Sequence, residues 1–545
     1  MALTMNRTRR PRRALAALGL GLAAIAAGAT ACNSDKLLTE HPGTVIVPDN
    51  LYTDLAGFEA GLNALYAQVR RERSGSGSDP SNDIVQTGLV IGTDNGYGLY
   101  LSPPERLFQQ FTTYNTPLND YTDETWQLMY QTINAANTII NRADNPAVQW
   151  SATDKGRVVG EARLIRAWAY RHLQYLFGDV PVILEESSGD NIRTDWERQP
   201  RDSVRHLIIN DLIFARDNLP ITSPMDGKLT KAVAQHYLAE MYLAIDEPDK
   251  AEVEASAVIN DGVHRLITQR YGVNKDQPGV AFMDQFQDGN VNRSEGNTEA
   301  LWVLQYAENV NGGGSSIMRR SWVTRYESNK GMKLAPEYGG RGIGRLAITR
   351  YGLNLYEPSD TRGGPYAIRR FYLYNNPANL PAGKKLGDTL FTVVGAEKVS
   401  NPLWPSTRKW DWSDPADVTA ALQYNDQPYI RLAETYLLLA EAQFKQGKLP
   451  EAAATINVLR ARAGASQITP AQVTMDFILD ERSRELVTEE ERRYTLVRTH
   501  TWYDRVMKYN PLAAQDVQPR DSILPIPQEV IDANLTKPMP QNPGY

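Results

Sequence analysis

A short helical motif that occurs twice constrains this chain more than any other feature. Tyr237-Leu-Ala-Glu-Met-Tyr-Leu243 is followed by Ala251, and Leu438-Leu-Ala-Glu-Ala-Gln-Phe444 by Ala452. In both copies a small residue, Ala239 or Ala440, stands twelve positions before the second alanine. In a helix–turn–helix pair, alanines so spaced meet where the two helices cross closely, and larger side chains would force them apart. The spacing fits a tetratricopeptide-type unit, and an ordinary αα-hairpin would show it too.

Helical periodicity extends well beyond the repeat. Leu55, Phe58, Leu62, Leu65, Tyr66 and Val69 recur at three- and four-residue spacing, as do Trp126, Met129, Tyr130, Ile133, Ala136 and Ile140. Further helices are predicted over 154–177, stopped by Gly178 and Pro181, and over 201–218, 230–245, 428–463 and 475–500. From 305 to about 424 the period mostly disappears, and Gly, Asn, Pro and Tyr dominate. A long irregular stretch inside a helical body is functional surface or disordered linker. Its many aromatics argue against disorder. The expected fold is mainly α: tetratricopeptide-like helical hairpins with a large loop-rich binding region and little β. The segments are 1–31, 32–50, 51–304 (helical), 305–425 (loop-rich, facing ligand or partner) and 426–545 (helical unit and extended tail).

The first two segments concern destination rather than fold. Arg7, Arg9, Arg10, Arg12 and Arg13 precede an apolar run from Ala14 to Ala27, which is too short for a membrane span and reads as a secretory signal. The run leads to Ala29-Thr30-Ala31-Cys32, and Cys32 is the sole cysteine of 545 residues. Small residues before a lone cysteine suit lipoprotein processing, which makes Cys32 the expected lipid anchor and 32–50 an extended tether. Ala29 stands where such sites usually carry Leu, so a plain A-x-A cleavage site is the alternative. A single cysteine excludes intrachain disulfides and CxxC metal sites. Without 1–31 the chain carries 53 basic against 64 acidic side chains, a net of −11. That balance, without Lys/Arg runs, makes it a poor nucleic-acid binder.

No catalytic or cofactor constellation stands out. The histidines (His41, His172, His206, His236, His264, His500) show no metal-ligand spacing, and Gly75-Ser76-Gly77 lacks the flanks of a nucleophile elbow. No metal or cofactor is expected on these patterns. The charged run 480–493 suits ion pairs along a helix better than paired catalytic carboxylates. Arg163, Arg166, Trp168 and Tyr170 lie on a regular helix and read as packing, and Trp410 and Trp412 lean towards structure. Better ligand contacts are loop aromatics beside polar groups, because sugar C–H faces stack on flat rings while hydroxyls bond to Asn, Asp and Arg. Asp94, Asn95, Tyr97 and Tyr100, and then Trp322, Arg325 and Tyr326, fit that chemistry.

Several segments together resemble the SusD/RagB family of nutrient-uptake lipoproteins. They are 32–42 with Gly61-Leu-Asn-Ala-Leu-Tyr66; Glu161-Ala-Arg-Leu-Ile-Arg-Ala-Trp-Ala-Tyr170 leading to Phe177-Gly-Asp-Val-Pro181; Arg431-Leu-Ala-Glu-Thr-Tyr-Leu437 with Arg460-Ala-Arg-Ala-Gly464; Glu481-Arg482, Arg484-Glu485-Leu486, Glu489 and Arg492; and Leu524-Pro-Ile-Pro527 with Gln541-Asn-Pro-Gly-Tyr545. The resemblance implies a SusD-like α-α superhelix, an acyl anchor in the outer membrane and display at the cell surface. It also implies a SusC-like TonB-dependent β-barrel transporter as partner, and an oligomeric ligand, usually a glycan and in some members a peptide. An exported glycan-processing enzyme is the weaker alternative.

Overall fold

A computed structural model describes residues 48–74, 85–101, 104–189, 191–394 and 402–545. The expected signal segment and Cys32 lie outside the described residues. Two units separate: one ends at Leu51 and holds the short helix Pro48–Leu51, and the other runs from Tyr52 to Tyr545.

The larger unit is mainly helical, as expected. Its N-terminal helices are α1 (Leu55–Arg70), α2 (Asp120–Arg142), α3 (Ala152–Phe177), α4 (Arg201–Asn218), α5 (Lys231–Ala244) and α6 (Pro248–Ile259). Local chemistry sets their ends. Asp54, Asn119 and Ser151 cap α1, α2 and α3 by accepting from Gly57, Tyr121 and Asp154 amides, and Gly178 leaves α3 at φ +76°. The C-terminal helices are α7 (Leu432–Lys445), α8 (Leu449–Ala463), α9 (Met475–Leu486), α10 (Arg492–Arg498) and α11 (Trp502–Tyr509).

Neighbours in the series pack pairwise from α2 to α8, and α6 packs directly on α7 although 172 residues separate their facing ends. The two motif copies therefore form adjacent hairpins, α5–α6 and α7–α8, with Ala239, Ala251, Ala440 and Ala452 fully buried. α3 runs through the middle, buried on every side from Val158 to Phe177 except at Arg163. Several of its polar groups pair with neighbouring helices: Arg166 holds Asp211 through two 2.8 Å bonds, and Glu161 accepts from Tyr66 at 2.6 Å.

Two segments depart from the predicted helices. Residues 428–431 belong to a strand, Gln427–Arg431, which pairs antiparallel with Ala300–Leu304. The predicted helix 475–500 breaks between α9 and α10, where Thr488 adopts φ +71° and its hydroxyl accepts from the Trp410 indole at 3.1 Å. Glu485, still on α9, and Glu489, beyond its end, both reach Arg431, at 3.2 and 2.6 Å. Arg484–Glu481 at 2.8 Å does follow the helix, but most of the 480–493 charges pair across elements instead.

The loop-rich insertion between α6 and α7 carries small antiparallel pairs. β1 (Gly96–Gly98) pairs with β3 (Leu346–Ile348), and β2 (Ala300–Leu304) with β6 (Gln427–Arg431). β4 (Phe371–Leu373) pairs with β5 (Thr389–Phe391). Ionic ties fasten this region to the C-terminal helices: Arg362 to Glu481 (2.9 Å) and Glu485 (3.1 Å), and Arg462 to Glu299 (2.8 Å). Among the described residues no helix is long and apolar enough to cross a membrane.

Candidate functional site

An open cleft of about 390 Å³ lies in the loop-rich insertion. Its first wall is the segment 270–288. Buried Asp284 accepts twice from Arg270 Nε (2.9 and 2.8 Å), and the same guanidinium donates to the carbonyls of Gln277 (2.7 Å) and Asn274 (2.6 Å). One arginine thereby holds an exposed polar loop in a fixed shape, with Phe282 and Phe286 buried beneath it.

The second wall is the turn at Pro336 and Glu337. It approaches Asp411 so closely that a Cβ on Gly339, itself at φ +80°, would stand 2.7 Å from the Asp411 carboxylate. Only glycine suits that position. The third wall holds Tyr366, Arg408, Asp411 and Trp412. Arg408 Nε bonds Asp411 at 3.1 Å. Trp412 is half-buried, its indole donates to Asp288 of the first wall at 3.2 Å, and Arg319 lies over its ring at 5.6 Å from the centroid. Tyr366 is 37 % exposed. Two flat rings, of which Trp412 is held by Asp288 and Arg319, thus share an open cleft with amides, carboxylates and guanidiniums. That set can stack on a ligand's apolar face and hydrogen-bond to its rim.

The residues singled out by sequence sit differently from the expectation. Asp94 is fully buried and ion-paired, with Arg492 at 2.8 Å on both oxygens and Arg505 at 2.6 Å. Burial alone would raise its pKa, but the two guanidiniums overcome that and hold the carboxyl below the usual range. Asn95 is buried, and its carbonyl accepts from the Thr349 amide at 3.0 Å. Tyr97 is 1 % exposed on β1 and meets Trp404 edge-on, and burial raises its pKa. Trp322 is likewise 1 % exposed, at the end of the helix Met318–Trp322. Tyr326 is fully buried, stacked on Tyr372 at 5.1 Å with its hydroxyl donating to Gly340 O at 2.9 Å.

These five side chains are therefore corrected from open loop to interior. Gly96 accounts for part of this, since a Cβ there would lie 2.6 Å from Val90 O, and the glycine lets β1 press into the core. Tyr100, 65 % exposed, and Arg325, whose side chain is 60 % exposed, remain open to solvent. β3 brings the two predicted loops near each other, pairing with β1 and packing on 318–322. Arg166, Trp168 and Tyr170 are buried as expected, and so is Trp410, whereas Trp412 lines the cleft. Sequence reasoning missed the cleft because its walls lie far apart in the chain, and the polar-aromatic run at 405–413 was the one available signal.

Among the described residues, one group has metal-ligand geometry: Glu72, His172 and Glu491.

Fold and cleft together define a helical-repeat protein built to hold a ligand. Two family models match the chain, one described as the SusD family over 384–545 and one as starch-binding associating with outer membrane over 102–243. The chain is 39 % identical over 424 residues to the starch-binding protein SusD of Bacteroides thetaiotaomicron, covering 71 % of this chain and 72 % of that one. It is 26 % identical over 526 residues to SusD-like protein P2 of Formosa agariphila, covering 93 % and 96 %. The fold matches surface glycan-binding protein A of B. thetaiotaomicron, solved with laminarihexaose, at TM-score 0.70 and 17 % identity, covering 90 % and 100 %. The chain belongs to the SusD/RagB family, and it is a binding protein rather than an enzyme.

Proposed function

We propose that this protein captures an oligomeric glycan at the cell surface in the cleft of Tyr366 and Trp412, and delivers it to a SusC-like TonB-dependent transporter. The observation that carries the reading is the pair of accessible rings flanked by Asn274, Gln277, Asp288 and Arg408. A pyranose presents an apolar C–H face and a belt of hydroxyls, and this lining answers both. The relatives named for starch and laminarihexaose support a glucan as the first ligand to try. Anchoring through Cys32 in the outer membrane completes the reading. Tyr100 and Arg325 keep the solvent-facing side chains that a second contact, with ligand or transporter, needs.

Calorimetric titration with starch and laminarin oligosaccharides tests it. Saturable binding without product formation is expected, and Trp412→Ala should weaken it about ten-fold, as loss of one ring stack predicts. Unchanged affinity in both Trp412→Ala and Tyr366→Ala, with the fold intact by circular dichroism, would exclude the cleft.

A further inference from the structure

A second group of side chains lies deep in the helical body, away from the cleft. Glu72 stands in the turn Arg71–Arg73 after α1, His172 on α3, and Glu491 at the start of α10. One ligand atom from each falls within 4.8 Å of the others. His172 Nε2 and Glu491 Oε1 are 3.6 Å apart. Two atoms here are buried without a hydrogen-bond partner, Glu72 Oε1 and His172 Nε2. Both residues are fully buried, so the lone pairs are withheld from solvent as well.

The surroundings orient these atoms towards one another. His172 Nδ1 lies 2.6 Å from the Tyr494 hydroxyl. With the Nδ1 proton donated there, Nε2 presents its lone pair to the two carboxylates, the arrangement that ligand histidines use. Tyr429 bonds Glu72 and places its oxygen 3.3 Å from Glu491 Oε1, adding a third oxygen beside the two carboxylates. Arg171 occupies the far oxygen of Glu491 and also pairs with Glu240 at 2.8 Å, so its charge is shared between two carboxylates. Arg73 bonds only neutral groups, Gln427 and the Pro428 carbonyl. Arg498 also faces Glu240 but is held by both oxygens of Glu441, so Glu72, Glu240, Glu441 and Glu491 face three guanidiniums, leaving one carboxylate in excess. A space of about 20 Å³ borders Glu72, Tyr429 and Glu491 but not His172, so the ion is placed by the three ligand atoms themselves rather than by that cavity.

We propose that Glu72, His172 and Glu491 bind one divalent transition-metal ion, zinc by their donor set, which staples α3, α10 and the turn after α1. One imidazole nitrogen and two carboxylates at Zn–N and Zn–O distances of about 2.0–2.2 Å sit roughly 3.2–3.6 Å from one another, which matches the His172–Glu491 separation. The ion is structural, because two of its three ligands, Glu72 and His172, are fully buried and the third, Glu491, is only 14 % exposed. It is independent of the glycan site.

The test uses the full mature chain, isolated without chelator, analysed for metals, then stripped and melted with and without added Zn²⁺. About one equivalent of zinc or another first-row divalent ion is expected in the native protein, falling below about a tenth in Glu72→Gln and His172→Gln. Zn²⁺ should raise the melting temperature of the stripped wild type by several degrees, a reading that needs no variant to fold. Metal-free native protein whose melt ignores Zn²⁺ would overturn the site and leave a proton or a water between the three groups.

Discussion

His236 on α5 is buried, with its Nδ1 2.9 Å from the Thr435 hydroxyl of α7. Burial pushes its pKa down from 6.5 to about 3, against a weaker upward pull from Glu240. The unfolded chain therefore takes up this proton first as pH falls. The stability that follows is complete above about pH 6.5 and drains away towards pH 3. At pH 5 the loss from this residue should be about 2 kcal/mol. Urea midpoints at pH 7.5 and 5.0 should show it, and His236→Gln should remove that part of the slope. At this scale the sequence told chemistry well and exposure poorly. Trp322 and Tyr326 read as loop aromatics because Gly and Asn flank them, yet they fill the interior of the insertion. Trp412 read as structural and lines the cleft. Which way a ring faces outside a regular helix depends on segments that no local period announces.

Elements were far easier to read. α1 to α5 fall within a few residues of their predicted spans, because their apolar stripes mark them, and α6 carries the Ala251 that the repeat placed on a second helix. The failures are where long-range pairing overrides local preference. The Gln427–Arg431 strand forms because Ala300–Leu304 lies beside it, and α9 ends early where Thr488 takes up left-handed backbone and receives the Trp410 indole. The alanine spacing of the repeat makes a sharp prediction. Ala452 shares an apolar cluster with Ala440, Ile456 and Ile478. Ala452→Leu should overpack the α7–α8 contact and lower stability by about 1–3 kcal/mol, read from urea unfolding. Indifference to that change would mean the alanines are not where the helices cross.

At the scale of the molecule, distant segments are joined by buried polar contacts that no window of sequence displays. Asp94 binds Arg492 and Arg505, and the Trp502 indole donates to Gly92 O at 3.0 Å. Asp94→Asn leaves two buried guanidiniums short of a counter-charge and should cost about 3–5 kcal/mol in chemical denaturation. A loss under about 1 kcal/mol would reduce the cluster to the worth of exposed pairs. The family resemblance made the overall architecture legible, since its blocks span the chain in order. The cleft was not legible, because its walls come from residues 270–288, 336–337, 366 and 408–412 and only folding assembles them.

The same closure has a consequence for how the molecule is made. Asn542 donates to Phe177 O at 2.9 Å and Leu524 O at 2.7 Å, and the Leu524 amide donates to Leu176 O at 2.6 Å. A ribosome adding about 5–20 residues per second reaches Asn542 roughly twenty seconds to over a minute after Phe177. Until those residues arrive, the Leu176 and Phe177 carbonyls and the Asp94 carboxylate keep water as their partner in place of Leu524, Asn542, Arg492 and Arg505. A polypeptide cut short of Leu524 would lack these closing contacts and should unfold at a lower urea concentration than the full-length protein.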